Sequence, residues 1–116
     1  MKIADLLQEI EDVEQRFWFI QSVTLEQTDD VIKVRVEIRE EIFVHVFLSE
    51  QSGRFQFALI NGRERIYGRD KEDNEWHLHP YGNAEDHLPM PEGISPQPLT
   101  QFMTEVEKIL LENNLI

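Results

Sequence analysis

Three of the chain's four histidines, His77, His79 and His87, share the stretch Arg63 to His87 with Arg63, Arg65 and Arg69. An imidazole titrates near neutrality, so one histidine can take a proton while another gives one. A guanidinium presents a planar fork that matches two phosphate oxygens. Together these groups suit phosphodiester cleavage, with His77, His79 and His87 as candidate catalytic residues. Arg65, Tyr67 and Arg69 are the candidate substrate-binding residues, with Tyr67 serving as a stacking platform or an interface anchor.

The spacing His77-x-His79 points both rings to one side of a strand. With His87 they would form a three-nitrogen metal site of the open kind, its second shell supplied by Asp86 or Glu75. Metal sites usually show tighter pairs, so the metal-free reading is preferred: no metal is assigned and no cofactor is expected. His45, between Val44 and Val46, reads as a tolerated or hydrogen-bonded half-buried side chain rather than a catalyst. Trp76 reads as core, and Asp70 to Glu75 as a solvated turn.

The elements that must position these groups follow from hydrophobic periodicity. A chain of 116 residues with 41% hydrophobic content supports one domain and one core. Ile3, Leu6, Leu7, Ile10, Val13 and Phe17 recur at helical spacing, with Asp5, Glu9, Glu11, Asp12 and Glu14 on the remaining faces, which predicts a helix over about 2–16. Strands are predicted at about 18–26, 31–39, 42–49, 54–60, 63–70 and 75–79; the second alternates most cleanly, Ile32, Val34, Val36 and Ile38 against Lys33, Arg35, Glu37 and Arg39. Five prolines and two glycines between Pro80 and Pro98 predict a loop, and Leu99 to Leu110 resumes helical spacing, giving a last helix over about 99–113. The expected fold is α+β: an antiparallel sheet of five or six strands with both helices on one face.

Registers follow from keeping apolar groups together. Asn61-Gly62, read as a type I′ turn, pairs Ile60 with Arg63 and Phe57 with Ile66. Ile66 then pairs with Leu78, Tyr67 with His77, and Arg65 with His79. Pairing Ile38 with Ile42 and Val36 with Val44 completes the core face. The opposite face would carry Phe43, Phe47, Ala58, Ile60 and Tyr67 among Arg54, Arg63, Arg65, Arg69, His45, His77 and His79, a mixture typical of interfaces.

Charge narrows the partners. The net charge is −12, yet residues 54–71 carry 5 bases against 2 acids while the flanking segments are acidic. Such a chain is repelled by polyanions, so strong general nucleic-acid affinity is not expected of it alone, and a basic protein partner is. The absence of cysteine removes disulfides and thiolate chemistry. With no leader-like amino terminus and no apolar run of ~20 residues, a cytoplasmic protein without membrane attachment is expected. Glycine-rich phosphate loops, nucleophile elbows and zincin helices are missing as well.

The acidic leading helix, antiparallel sheet, Tyr-x-x-Asp element from Tyr67 to Asp70, His79-Pro80 step, later His87 before a proline-containing loop and acidic closing helix resemble the TumE family of small prokaryotic toxins. Family members carry an arginine-tyrosine-aspartate-asparagine run, then paired histidines and a further histidine pair. Here Tyr67, Arg69 and Asp70 match the first part, His79 and Pro80 the second, and His87 the third. The histidines are single where pairs are expected, and Lys71 to Glu75 interrupts the run, which fits a distant member or an inactive relative. The resemblance implies a toxin of a toxin–antitoxin pair with an antitoxin-like partner; action on RNA or a nucleotide through the histidine and arginine face is inferred from the residues. The alternative is a non-enzymatic interaction module that uses the same mixed face for a homodimer or a protein complex.

Overall fold

Strict alternation in residues 31–39 and 42–49 turns Ile32, Val34, Val36 and Ile38, with Ile42, Val44, Val46 and Leu48, to a single face where all are buried. The computed structural model describes residues 1–94 and 96–116, so Ser95 of the expected proline-rich loop lies outside the described residues. Helix α1 spans Ile3–Arg16, followed by strands β1 (Ser22–Gln27), β2 (Val31–Arg39), β3 (Ile42–Ser49), β4 (Phe55–Asn61), β5 (Glu64–Glu72), β6 (Glu75–His79) and β7 (Leu88–Pro89), and then helix α2 (Pro98–Glu112). The strands form one antiparallel sheet in sequence order, β1 to β7. The expected α+β architecture holds, with a seventh, two-residue strand inside the stretch read as loop. Among the described residues no helix is long and apolar enough to cross a membrane.

Both helices cover the same sheet face. Ile3, Leu6, Ile10 and Val13 of α1, and Leu99, Phe102, Met103, Val106 and Leu110 of α2, join the buried strand residues in one core. An aromatic row runs through it: Phe102 stacks on Phe57 at 5.1 Å and on Tyr67 at 5.6 Å, and Trp76 stacks over Phe57 at 6.4 Å. Each fully buried large side chain stabilises the fold by roughly 1.5–3 kcal/mol relative to leaving it exposed.

Two carboxylates satisfy helix amides that have no partner in their own first turn. Glu50 accepts from the Ile3 amide at 2.6 Å, and Glu9 accepts from the Thr100 amide at 2.6 Å. Glu9, expected on the polar side of α1, is therefore buried between the helices. Its pKa is raised because burial disfavours the charge more than the Thr100 contacts favour it.

The first strand starts later than the expected 18. Phe17 and Phe19 are buried while Trp18 points out, 71% exposed, and the Ile20 amide donates back to the Phe17 carbonyl, so a turn occupies the start of the aromatic stretch.

The register of β5 differs most from expectation. Asn61 pairs with Glu64 and Ile60 with Arg65, so the loop between β4 and β5 consists of Gly62 and Arg63 rather than Asn61 and Gly62. Gly62 alone has positive φ, 68°, which suits a turn of type II′ and not the expected type I′. This slip of two residues preserves the faces. A bulge after Ile60 then absorbs Ile66, so that Leu59 pairs with Tyr67 and Phe57 with Arg69 instead of Ile66. That one extra residue turns Tyr67 and Arg69 to the helix side, and Gly68 and Asp70 to the opposite side.

The type I′ geometry occurs one hairpin later, where Asp73 and Asn74 have φ of 50° and 66° between the paired Glu72 and Glu75. β5 thus continues through residues read as a solvated turn. The Asp73-Asn74 turn sets Asp70 opposite His77 and Gly68 opposite His79, replacing the expected pairs of Tyr67 with His77 and Arg65 with His79. On the other side of the sheet Val36 pairs with Val44 as expected, whereas Ile42 pairs with Arg39 across an irregularity instead of with Ile38.

Candidate functional site

The bulge and the Asp73-Asn74 hairpin together place one carboxylate among three imidazoles. On the sheet face away from the helices, Asp70 Oδ2 lies 2.9 Å from His79 Nε2, while Asp70 Oδ1 lies 3.4 Å from His87 Nε2 and 3.6 Å from His77 Nδ1. The His87 ring sits 4.0 Å from that of His77 and 4.9 Å from that of His79, centroid to centroid. His87 reaches this position because β7 pairs with β6, Leu88 against Leu78 and Pro89 against His77.

The members differ in exposure. The His79 and Asp70 side chains are 8% and 11% exposed, and that of His77 18%, whereas that of His87 is 46% exposed. His87 is therefore the member that meets solvent and any substrate. Burial alone would raise the Asp70 pKa, but hydrogen bonds from His79 and His87 and their charges outweigh it and hold the carboxyl below its ordinary value.

The second nitrogen of His79 fixes the ring: Nδ1 lies 3.1 Å from the Ala84 carbonyl. Arg65 Nη2 donates to the same carbonyl at 3.5 Å, so the loop after β6 ties the arginine to the histidine cluster. The close fit depends on Gly68, where a Cβ would lie 2.9 Å from the Phe57 carbonyl oxygen and 3.2 Å from Arg65 Cδ. His77 Nδ1 is buried and makes no hydrogen bond.

His77, His79, His87 and Arg65 are thus brought together, whereas Tyr67 and Arg69 are not. The two latter residues were expected beside the histidines and are instead buried against α2. Arg69 donates to Glu105 through Nε at 3.1 Å and Nη2 at 2.9 Å, and the Tyr67 hydroxyl donates to the same carboxylate at 2.6 Å. Burial first, and then the Glu105 contact, push the Tyr67 hydroxyl pKa up; in Arg69 the contact with Glu105 overcomes burial and raises the pKa further. A cation paired in this way is not free for a phosphate. The buried Arg69 Nη1 lacks a partner.

Asp70 was missed as a site residue because it sits in the polar run Asp70 to Glu75. The sequence signals for it were the Tyr67-x-x-Asp70 element of the family resemblance and Gly68, since a glycine inside a strand marks a bulge or a close approach. His45 lies apart from the cluster, paired across the sheet with Arg35 and Ala58. Its pKa is lowered by burial and by the charges of Lys33 and Arg35.

Asp70, His79 and His87 offer donor atoms within 4.8 Å of one another, close enough to hold a single metal ion. Comparisons with family models, with curated proteins and with solved structures gave no match.

Proposed function

We propose that this chain is a toxin-like protein, of the kind the TumE resemblance suggests, that acts on RNA or a nucleotide at the cluster of Asp70, His77, His79 and His87. The supporting observation is the convergence of three imidazoles on one carboxylate, with Arg65 joined to them through the Ala84 carbonyl. In this reading Arg65 anchors a phosphate, and the cluster takes the proton of the attacking hydroxyl and returns one to the leaving oxygen. Asp70 orients the rings and balances the positive charge that develops on them. The acidity of the rest of the chain favours restraint by a basic, antitoxin-like protein that covers this face.

Purified protein incubated with labelled single-stranded RNA tests the proposal. Cleavage is expected, falling roughly 10²–10⁴-fold in His87→Ala, the range for loss of a general acid or base. Arg65→Ala is expected to weaken substrate binding. Intact RNA with the wild type, or cleavage unchanged in His87→Ala and Asp70→Asn, overturns the assignment.

A second reading has its own support. Phe43, His45 and Phe47 are half-buried on the sheet face to which neither helix packs, and the Arg35 guanidinium lies 3.6 Å over the Phe43 ring. An interaction or homodimerisation module would use this aromatic and basic surface. A sedimentation profile that shifts from dimer to monomer in a Phe43→Ser, Phe47→Ser variant, together with intact RNA, would favour it over the first.

A further inference from the structure

The histidine cluster is incomplete when only protons are distributed over it. Asp70 Oδ1 faces both His87 Nε2 and His77 Nδ1, and the latter stays buried without a partner. A buried nitrogen left unpaired loses its contact with water and gains nothing in return. A divalent cation held beside Asp70 accepts a lone pair from His79 and from His87 at once, together with the carboxylate.

We propose that Asp70, His79 and His87 bind one divalent transition-metal ion of the zinc class. The dimensions suit it. Metal–nitrogen and metal–oxygen bonds of ~2.1 Å at tetrahedral angles place donor atoms about 3.4 Å apart. Here His79 Nε2 lies 2.9 Å from Asp70 Oδ2 and His87 Nε2 lies 3.4 Å from Asp70 Oδ1, and the three residues offer donor atoms within 4.8 Å of one another. His79 already has the arrangement of a metal-bound imidazole: Nδ1 donates to the Ala84 carbonyl, leaving the Nε2 lone pair for the ion. Two neutral-imidazole donors and a carboxylate favour zinc, cobalt or nickel over magnesium or calcium, which take all-oxygen sets. Exposure of His87 leaves the ion's outer side open to water or to a phosphate oxygen, the ligand class that Arg65 beside it would also attract.

The inference rests on reading this cluster as the working centre, in which a ring that ligates the ion gives up its part in proton transfer, and it is tested without any substrate. Native mass spectrometry and calorimetric titration with zinc chloride are expected to show one ion per chain, and cobalt(II) to give visible absorption with nitrogen ligands. His87→Ala, at an exposed position that leaves the core untouched, is expected to weaken zinc more than about 100-fold, beyond the range typical for loss of a second-shell partner. Asp70→Asn should act in the same direction, and His45→Ala should match the wild type. The proposal is overturned if the wild type takes up no stoichiometric ion at micromolar zinc, or if His87→Ala binds as tightly as wild type. Zinc held at the cluster by a protein that leaves RNA intact would sink the RNA proposal alone; RNA cleavage undiminished by chelator, in a protein that takes up no zinc, would sink the metal proposal alone.

Discussion

Two carboxylates, Asp70 and Glu105, each gather cationic or polar partners around β5, one on either face of the sheet. Glu105 has both oxygens engaged: Tyr67 and Arg69 Nε donate to Oε1, and Arg69 Nη2 and Gln101 donate to Oε2. α2 lies over that network and closes it. Asp70 has no helix above it, one of its three imidazoles has an unpartnered nitrogen, and another is half exposed. The same chemical vocabulary therefore makes a brace in one place and the proposed reactive centre in the other. What separates them is cover, since each network keeps one buried nitrogen without a partner, Arg69 Nη1 on the closed side and His77 Nδ1 on the open one.

The largest effect expected from breaking this contrast lies on the closed side. Glu105→Ala strands the Arg69 charge in the core and should cost about 3–5 kcal/mol, read as a lower urea midpoint. The double variant Arg69→Met, Glu105→Leu removes both charges and should recover most of that loss; a double variant as unstable as Glu105→Ala would show that the pair is required for packing and not only for charge balance.

Next comes the fit between the two networks. Gly68→Ala places a methyl 2.9 Å from the Phe57 carbonyl oxygen and should cost roughly 1–3 kcal/mol by overpacking. It should also move Arg65 and weaken the activity at the cluster. Thermal unfolding identical to wild type would mean that β5 relaxes freely at its bulge.

On the open side the expected order reverses. His87→Ala should change stability by no more than about 0.5 kcal/mol in urea denaturation, as surface substitutions do, while removing metal binding and turnover. A loss of several kcal/mol would make His87 a brace like Glu105.

The smallest effect is a pH dependence from Glu9, the carboxylate buried between the helices. Its folded pKa is raised from the ordinary value of 4.5 chiefly by burial, so its contribution to stability is complete below that value and is lost as pH rises through the raised one. Glu9→Gln, which keeps an oxygen for the Thr100 amide, should therefore gain on the wild type over the pH window that opens at the ordinary value of 4.5 and closes at the raised one. A constant difference across that window would show that Glu9 titrates normally.

Much of this molecule was legible from periodicity. β2 and β3 carry apolar side chains at alternate positions, and α1 and α2 carry them at helical spacing, so burying one face of each admits a single arrangement. Placement of His77 and His79 on one face also followed from the period of two. β5 was different. In Glu64–Glu72 the apolar residues Ile66 and Tyr67 are adjacent, so hydrophobic alternation does not choose between its two registers.

The sequence by itself determined the α+β class, the helices, the strong strands and the enrichment of histidine and arginine after residue 63. Only the tertiary structure decided which of those residues act together. A bulge that absorbs Ile66 exchanges Tyr67 and Arg69 for Gly68 and Asp70 on the open face, and the β6–β7 pairing delivers His87 across the loop. Both depend on cross-strand hydrogen bonds and on what α2 offers to the buried side, which are long-range terms that local residue spacing does not encode.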